Sequence, residues 1–259
     1  LVFGAEAGAL AGLAWPWLLP LGTATLVLAT LGALAAPSLR LLAAYLVLGS
    51  AATLFVAFSL HTTGTIGAGL YYLVHSSFAG AALFLLADLI RRRRGRASDR
   101  KDLIAALPDK TVPGLLFLFA AVSLAGLPPL SGFIGKLLLL EAVPAGPRTL
   151  WIWALVLGTS FLMLVGLARA GTRLFWRVEP WPDAGVRQLE AYTPEQDVVS
   201  APSRPLETMA IVLLLAYGVA LVLAAAPVLD YTRATAAQLQ APGDYVEHVR
   251  TAAPILREP

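Results

Sequence analysis

Lys136 stands directly after a stretch of apolar sequence interrupted by Gly126, Pro128, Pro129, Ser131 and Gly132. Two adjacent prolines remove backbone donors and clash with the preceding turn, so no straight helix runs through them. Unwound backbone at membrane depth persists only inside protein or beside water. Broken helices of this kind are where transporters place ion sites. A lysine held in hydrocarbon costs about 2.5–3.5 kcal/mol on insertion scales. It recovers that cost by pairing, by snorkelling to the interface, or by giving up its proton, which is what a proton-relay residue must do. The adjoining break favours proton exchange over snorkelling.

Other ionisable side chains share these apolar segments. His75 lies near the centre of a long run and can pass a proton between its two ring nitrogens. Its bland reading is a neutral histidine bonded to a neighbouring helix, and Tyr71, His75 and Phe78 share one helical face. Glu141, five residues after Lys136, reads as an exit-side carboxylate or an interfacial anion. Asp88 lies one turn before a basic block and reads as an interfacial anchor or a proton-uptake site. Arg91, Arg92, Arg93, Arg94 and Arg96 form that block, a topology determinant and a contact for anionic lipid. Gly64, Gly67, Gly69 and Gly80 read as close helix–helix contacts. The sequence has no phosphate-binding glycine loop, metal-ligand cluster or nucleophile triad. No cofactor, catalytic residue or metal site is expected.

The elements that position these residues follow from composition. Of 259 residues, 58% are hydrophobic and only 14% charged, and cysteine is absent, which excludes disulfides and thiolate metal sites. Mean hydropathy is +0.74. The charges are segregated: 12 of 35 fall in residues 88–110, and none in 41–87. A soluble domain spreads its charges over its whole surface, so a soluble enzyme is excluded, and nucleic acid is a poor account of the net charge of +3. A spanning helix needs about 20 mostly apolar residues. Six runs qualify: 18–36, 41–60, 64–90, the interrupted 111–143, 149–176 and 208–229. Their unbroken apolar character argues against membrane strands.

Loops on one side, around Arg40 and over 91–110 and 177–205, hold twelve Lys or Arg residues, against Arg148 alone between runs on the other. That side is expected to be cytoplasmic. The chain then divides into membrane helices one to five over 1–176, a cytoplasmic linker over 177–205, a last span over 206–229 and an outer-side tail over 230–259. The tail is expected to form one short interfacial helix over 232–240, ended by Pro242-Gly243. The first residues, Leu-Val-Phe-Gly, read like a chain joined in its middle.

Four stretches carry a family resemblance. The His75 helix, Leu70-Tyr-Tyr-Leu-Val-His-Ser-Ser-Phe-Ala-Gly-Ala-Ala-Leu-Phe-Leu-Leu-Ala-Asp-Leu-Ile90, resembles that of antiporter-like subunits. Ala125-Gly-Leu-Pro-Pro-Leu-Ser-Gly-Phe-Ile-Gly-Lys136 resembles their discontinuous late helix, and Arg40-Leu-Leu-Ala-Ala-Tyr45 another of their signatures. The family comprises proton-pumping membrane subunits of respiratory complex I and large subunits of Mrp-type multisubunit Na⁺/H⁺ antiporters. The tail from Tyr231 to Val246 is most similar to the D-type subunits of the Mrp branch. The resemblance implies about 14 helices with two inverted repeats, of which this chain matches the last six. The family's first-repeat glutamate and two lysines would lie before Leu1. Lys136 takes the position of the second-repeat ionisable residue and His75 that of the relay histidine. A further family histidine on the second helix has no match; Gly49-Ser50 stand there.

The expected protein is thus an all-α integral membrane protein of about six spans, one discontinuous, lying in a cell inner membrane. It is expected to be a subunit of a monovalent cation/proton antiporter, a secondary transporter and not an enzyme. Its expected partners are the other subunits, Na⁺ or a similar cation, protons and lipid, with no nucleic acid. Alternatives are a proton-translocating subunit of a complex I-like NADH dehydrogenase or membrane-bound hydrogenase, and a non-transporting structural or assembly subunit.

Overall fold

A computed structural model describes residues 12–94, 99–101, 107, 110–176, 205–241, 243, 247 and 251. Arg96, residues 177–204 of the linker expected over 177–205 and most of the tail beyond 241 lie outside the described residues. Eight α-helices are described: α1 Trp15–Ala35, α2 Leu39–Ser59, α3 Thr63–Arg93, α4 Thr111–Ala125, α5 Ser131–Glu141, α6 Thr149–Gly171, α7 Pro205–Leu223 and α8 Ala225–Gln240. A π-helical turn, Thr172–Trp176, continues α6. Among the described residues there is no strand, only an isolated bridge between Ser38 and Arg100.

The apolar runs become helices that satisfy their own backbone, as hydrocarbon requires. Five are long and apolar enough to cross a membrane: α1, α2, α3, α6 with its π turn, and α7. The fourth run, expected to be broken, is two short helices, α4 and α5. The sixth is also divided, ending at Leu223 with a new helix from Ala225. The tail helix is therefore longer than the expected 232–240. The chain is a multi-pass helical membrane protein.

Helix α3 is the axis, packing against α2, α4, α5, α7 and α8. Small residues set the distances: a Cβ on Gly69 would stand 2.7 Å from the Phe58 ring, and one on Gly80 2.8 Å from Val47. The main core lies among α1, α2, α3, α4, α6 and α7, with Leu42, Leu83, Leu86, Leu167 and Ile211 fully buried. Phe78 stacks on Tyr217, and Tyr71 donates to the Leu221 carbonyl at 3.1 Å, so two residues of the His75 face hold α7.

Contacts sort the loops into two ends. At one, the segment after α3 is strapped to the start of α2. The first turn of a helix has N–H groups with no partner inside it. Here Leu39 N–H donates to the Asp99 carbonyl (3.0 Å), Arg40 N–H to the Asp99 carboxylate (2.8 Å) and Leu41 N–H to Ser38 Oγ (3.3 Å). The Arg40 guanidinium also pairs with Asp99 at 3.1 Å. Arg92 joins the same end to α7 through Glu207 at 2.7 Å. At the opposite end, Gln240 donates to the His61 carbonyl at 2.7 Å and bonds Thr63, and Gly64 faces Ala142. This is the alternation that six crossings require.

The Asp99 side chain is 1% exposed and serves both an N–H and a guanidinium. Asp99→Ala is expected to cost about 1–3 kcal/mol, the range for stranding a buried donor. It should lower the melting temperature of the detergent-solubilised protein.

Candidate functional site

The break between α4 and α5 spans residues 126–130. Gly126 ends α4 in the left-handed conformation (φ 76°), which glycine adopts without steric cost. Leu127 N–H then returns to the Val122 carbonyl (3.1 Å) and Gly126 N–H to that of Ser123 (3.2 Å), closing the helix end as such caps do. Among the described residues, two of the last four carbonyls, Leu124 and Ala125, have no backbone donor, the residues at 128 and 129 being prolines. Lys136 takes both: its Nζ donates to Ala125 O at 2.9 Å and to Leu124 O at 3.4 Å. A cation is thereby set against the negative end of a helix dipole. The lysine is buried, at 8% exposure. It does not snorkel. It folds back across the break, its Cδ 2.8 Å from where a Cβ on Gly126 would stand.

Ser131 and Gly132, expected among the break residues, instead form the first turn of α5 and bring α3 to it. His75, 3% exposed, places Nδ1 2.8 Å from Ser131 Oγ. A Cβ on Gly132 would lie 2.1 Å from the Ser123 carbonyl oxygen and 2.8 Å from His75 Nε2. Gly132 is therefore wedged between the end of α4 and the imidazole. One turn on, Gly135 lies against the Tyr72 ring, and Lys136 follows Gly132 by four residues on the same face. The buried residues Ser131, Gly132, Gly135, Lys136 and Leu139 make this face of α5. It carries the histidine contact and the lysine one turn apart.

A hydroxyl pair extends the polar groups toward α2. Tyr72 OH and Ser50 Oγ are 3.3 Å apart and buried, and the Tyr72 and His75 rings lie 5.7 Å apart. Ser50 occupies the place noted above for lacking a histidine.

The remaining expected residues lie away from this centre. Asp88 Oδ1 pairs with Arg91 at 2.7 Å and Oδ2 with Arg92 at 2.7 Å, near the C-terminal end of α3. The Arg94 guanidinium donates to the Arg100 carbonyl at 2.7 Å. Much of the arginine block thus makes protein contacts. Glu141, the last residue of α5, is exposed and lines a cleft of about 240 Å³ with Gly64, Ala68, Leu229 and Arg233. Arg233 gives no sign of this place in the sequence beyond being a lone base in the amphipathic tail. Nor does the sequence show that Ser131 and Gly132 form the turn of α5 that meets His75.

A family model described as NADH:quinone oxidoreductase/Mrp antiporter, transmembrane, matches residues 9–163. The chain belongs to this family. Residues 9–163 take in α1 to α5, and with them His75, the break and Lys136. Among relatives, the D subunit of a probable K⁺/H⁺ antiporter from Rhizobium meliloti (strain 1021) is 33% identical over 97% of this chain and 49% of its own length. The D subunit of a Na⁺/H⁺ antiporter from Bacillus subtilis (strain 168) is 34% identical over 61% of this chain and 32% of its own. Among solved structures, a chain of the Mrp complex from Dietzia sp. DQ12-45-1b superposes with a TM-score of 0.68 at 21% identity. The match covers 91% of this chain and 49% of that one, a likeness of fold. The chain spans about half the length of the relatives it matches, or less.

Proposed function

We propose that the chain is part of a monovalent cation/proton antiporter subunit that moves protons along buried ionisable side chains. The observation that carries this reading is Lys136, buried and docked on the open carbonyls of the broken helix, one turn from the glycine that packs on His75. A lysine held by neutral carbonyls has no carboxylate fixing its charge, which suits a group that gains and loses a proton. His75, bonded to Ser131, passes protons between its ring nitrogens. Glu141 connects the route to the outer side through the cleft it lines. Asp88 marks the inner end, where its two arginine partners suit it to anchoring the helix. Ser131 positions the imidazole. Gly126, Pro128, Pro129 and Gly132 shape the break.

In this reading the loops over 91–110 and 177–205 are cytoplasmic and the membrane is the cell's inner one. The arginines not taken up in ion pairs meet anionic lipid. The partners are other subunits of a multisubunit antiporter, and the cation is Na⁺ or K⁺, the ions named for the two relatives. The K⁺/H⁺ antiporter relative that aligns over nearly the whole chain favours an antiporter over a redox-driven complex.

His75→Gln tests the route. Glutamine can still bond Ser131 but does not relay a proton. Cation-driven proton flux in membrane vesicles is expected to fall about tenfold or more, a modest share of what a positioned proton-transfer group contributes, with the protein still assembled. Undiminished flux would remove His75 from the route.

A further inference from the structure

Gly64, Ala68, Tyr71 and His75 follow one another along a single face of α3, spaced by three or four residues. Their surroundings change step by step. Gly64 and Ala68 line the cleft of about 240 Å³ together with Leu138, Glu141 and Leu229. Ala68 also belongs to a buried apolar cluster with Leu139 of α5. Tyr71 comes next, with no exposed surface, and His75 lies one turn further in, bonded to Ser131. Only about 10 Å of helix separates Ala68 from His75. Side chains on a helix lean toward its N-terminus, so the Tyr71 ring leans from its own turn toward Ala68. It occupies the step between an open cleft and an enclosed imidazole.

A gap in another helix holds the ring there. The last backbone bond of α7 runs from Ala224 N–H to the Ala220 carbonyl (2.8 Å), and the ladder resumes with Val228 N–H on the Ala224 carbonyl (3.2 Å). The carbonyls between are passed over, and Pro227 has no N–H to offer. Tyr71 donates to one of them, Leu221 O, at 3.1 Å, which meets the demand of a buried carbonyl for a donor. On the far side of His75, Phe78 stacks on Tyr217. Between these two ties, a Cβ on Gly218 would stand 3.6 Å from Ser131 Oγ. Helix α7 is thus fastened across the His75–Ser131 pair. We propose that Tyr71 is a positioning residue that forms the barrier between the cleft and the histidine. Its ring, tied to α7 by its hydroxyl, keeps the water of the cleft off the His75–Ser131 pair. Transport by alternating access needs such a barrier, since an imidazole always open to one side would exchange protons there without regard to the cation. The inference rests on the reading of His75 as a relay and of the cleft as one end of the proton route.

The test is modification of His75 by diethyl pyrocarbonate, read by mass spectrometry on the full chain with its partner subunits in membranes. The exposed His61 gives an internal standard that reacts in every variant. In the wild type His75 is expected to react at least tenfold more slowly than His61. Tyr71→Ala, which removes the ring, should bring the two rates within a few-fold of each other. Tyr71→Phe keeps the ring and loses only the tie to Leu221, so it serves where alanine disturbs the fold, and it should raise His75 labelling several-fold. Asp99→Ala loosens the strap at the other end of α3 and is expected to leave His75 as protected as in the wild type. Protection in the Tyr71 variants equal to the wild type would overturn the proposal. So would rapid labelling of His75 in the wild type, or the same gain in Asp99→Ala, which would mark general loosening. Labelling requires no transport, so its outcome stands apart from flux measurements on His75 or Lys136 variants.

Discussion

Gly132→Ala is expected to inactivate the protein and to lower the amount that assembles. The added methyl would stand 2.1 Å from the Ser123 backbone oxygen and 2.8 Å from His75 Nε2. Neither neighbour is the free end of a flexible side chain. The carbonyl belongs to the capped end of α4, and the imidazole is held by Ser131. To admit the methyl, α5 must move away from both α4 and α3. That displacement pulls Lys136 off the Leu124 and Ala125 carbonyls and opens the His75–Ser131 bond. Overpacking a close-packed site costs about 1–3 kcal/mol, and transport should suffer more than stability, because the site depends on the approach itself. Thermal unfolding in detergent and vesicle flux, measured on the same preparation, check the two parts. Gly158, beside which an added Cβ meets no atom within 4 Å, gives the control: Gly158→Ala should leave both unchanged.

Lys136→Ala is expected to abolish cation-coupled proton transport. Part of the effect is structural. Removing Nζ leaves two carbonyls at a buried helix end without a donor, at about 1–3 kcal/mol for each group so stranded. Lys136→Arg separates structure from chemistry. A guanidinium offers donors to the same carbonyls, but it stays charged under all working conditions and exchanges no proton. The arginine variant should therefore assemble better than the alanine variant and transport no better. A reading in which Lys136 merely caps α4 predicts the opposite, with arginine restoring activity.

The break and its lysine were legible in the sequence because each violates a rule that apolar spans obey. Two prolines cannot sit in a helix interior, and a lysine does not enter hydrocarbon without a reason. His75 stood out in the same way. What could not be read was where these groups turn. The lysine's choice of Leu124 and Ala125 depends on a chain reversal at Gly126 that leaves just those carbonyls open. Ser131 and Gly132 looked like part of the unwound segment, since small and polar residues serve both loops and close approaches. They are instead the turn on which α3 and α5 meet. The arginine block shows the limit of counting charge. The count predicts a side of the membrane, but Asp88, Glu207 and the Arg100 carbonyl draw several of these side chains into the protein. Arg233 and the division of the sixth run near Ala224 were hidden for a further reason. An amphipathic tail carries no sign of which helix it will cross, and the small residue on α3 that receives it, Gly67, lies far away in sequence.

The most direct test of the central claim is proton flux driven by a Na⁺ or K⁺ gradient in vesicles carrying matched amounts of assembled wild type, Lys136→Ala and Lys136→Arg. If Lys136 carries the proton past the broken helix, flux is lost in both variants even where the arginine form assembles as well as the wild type. Wild-type flux in either variant would contradict that role.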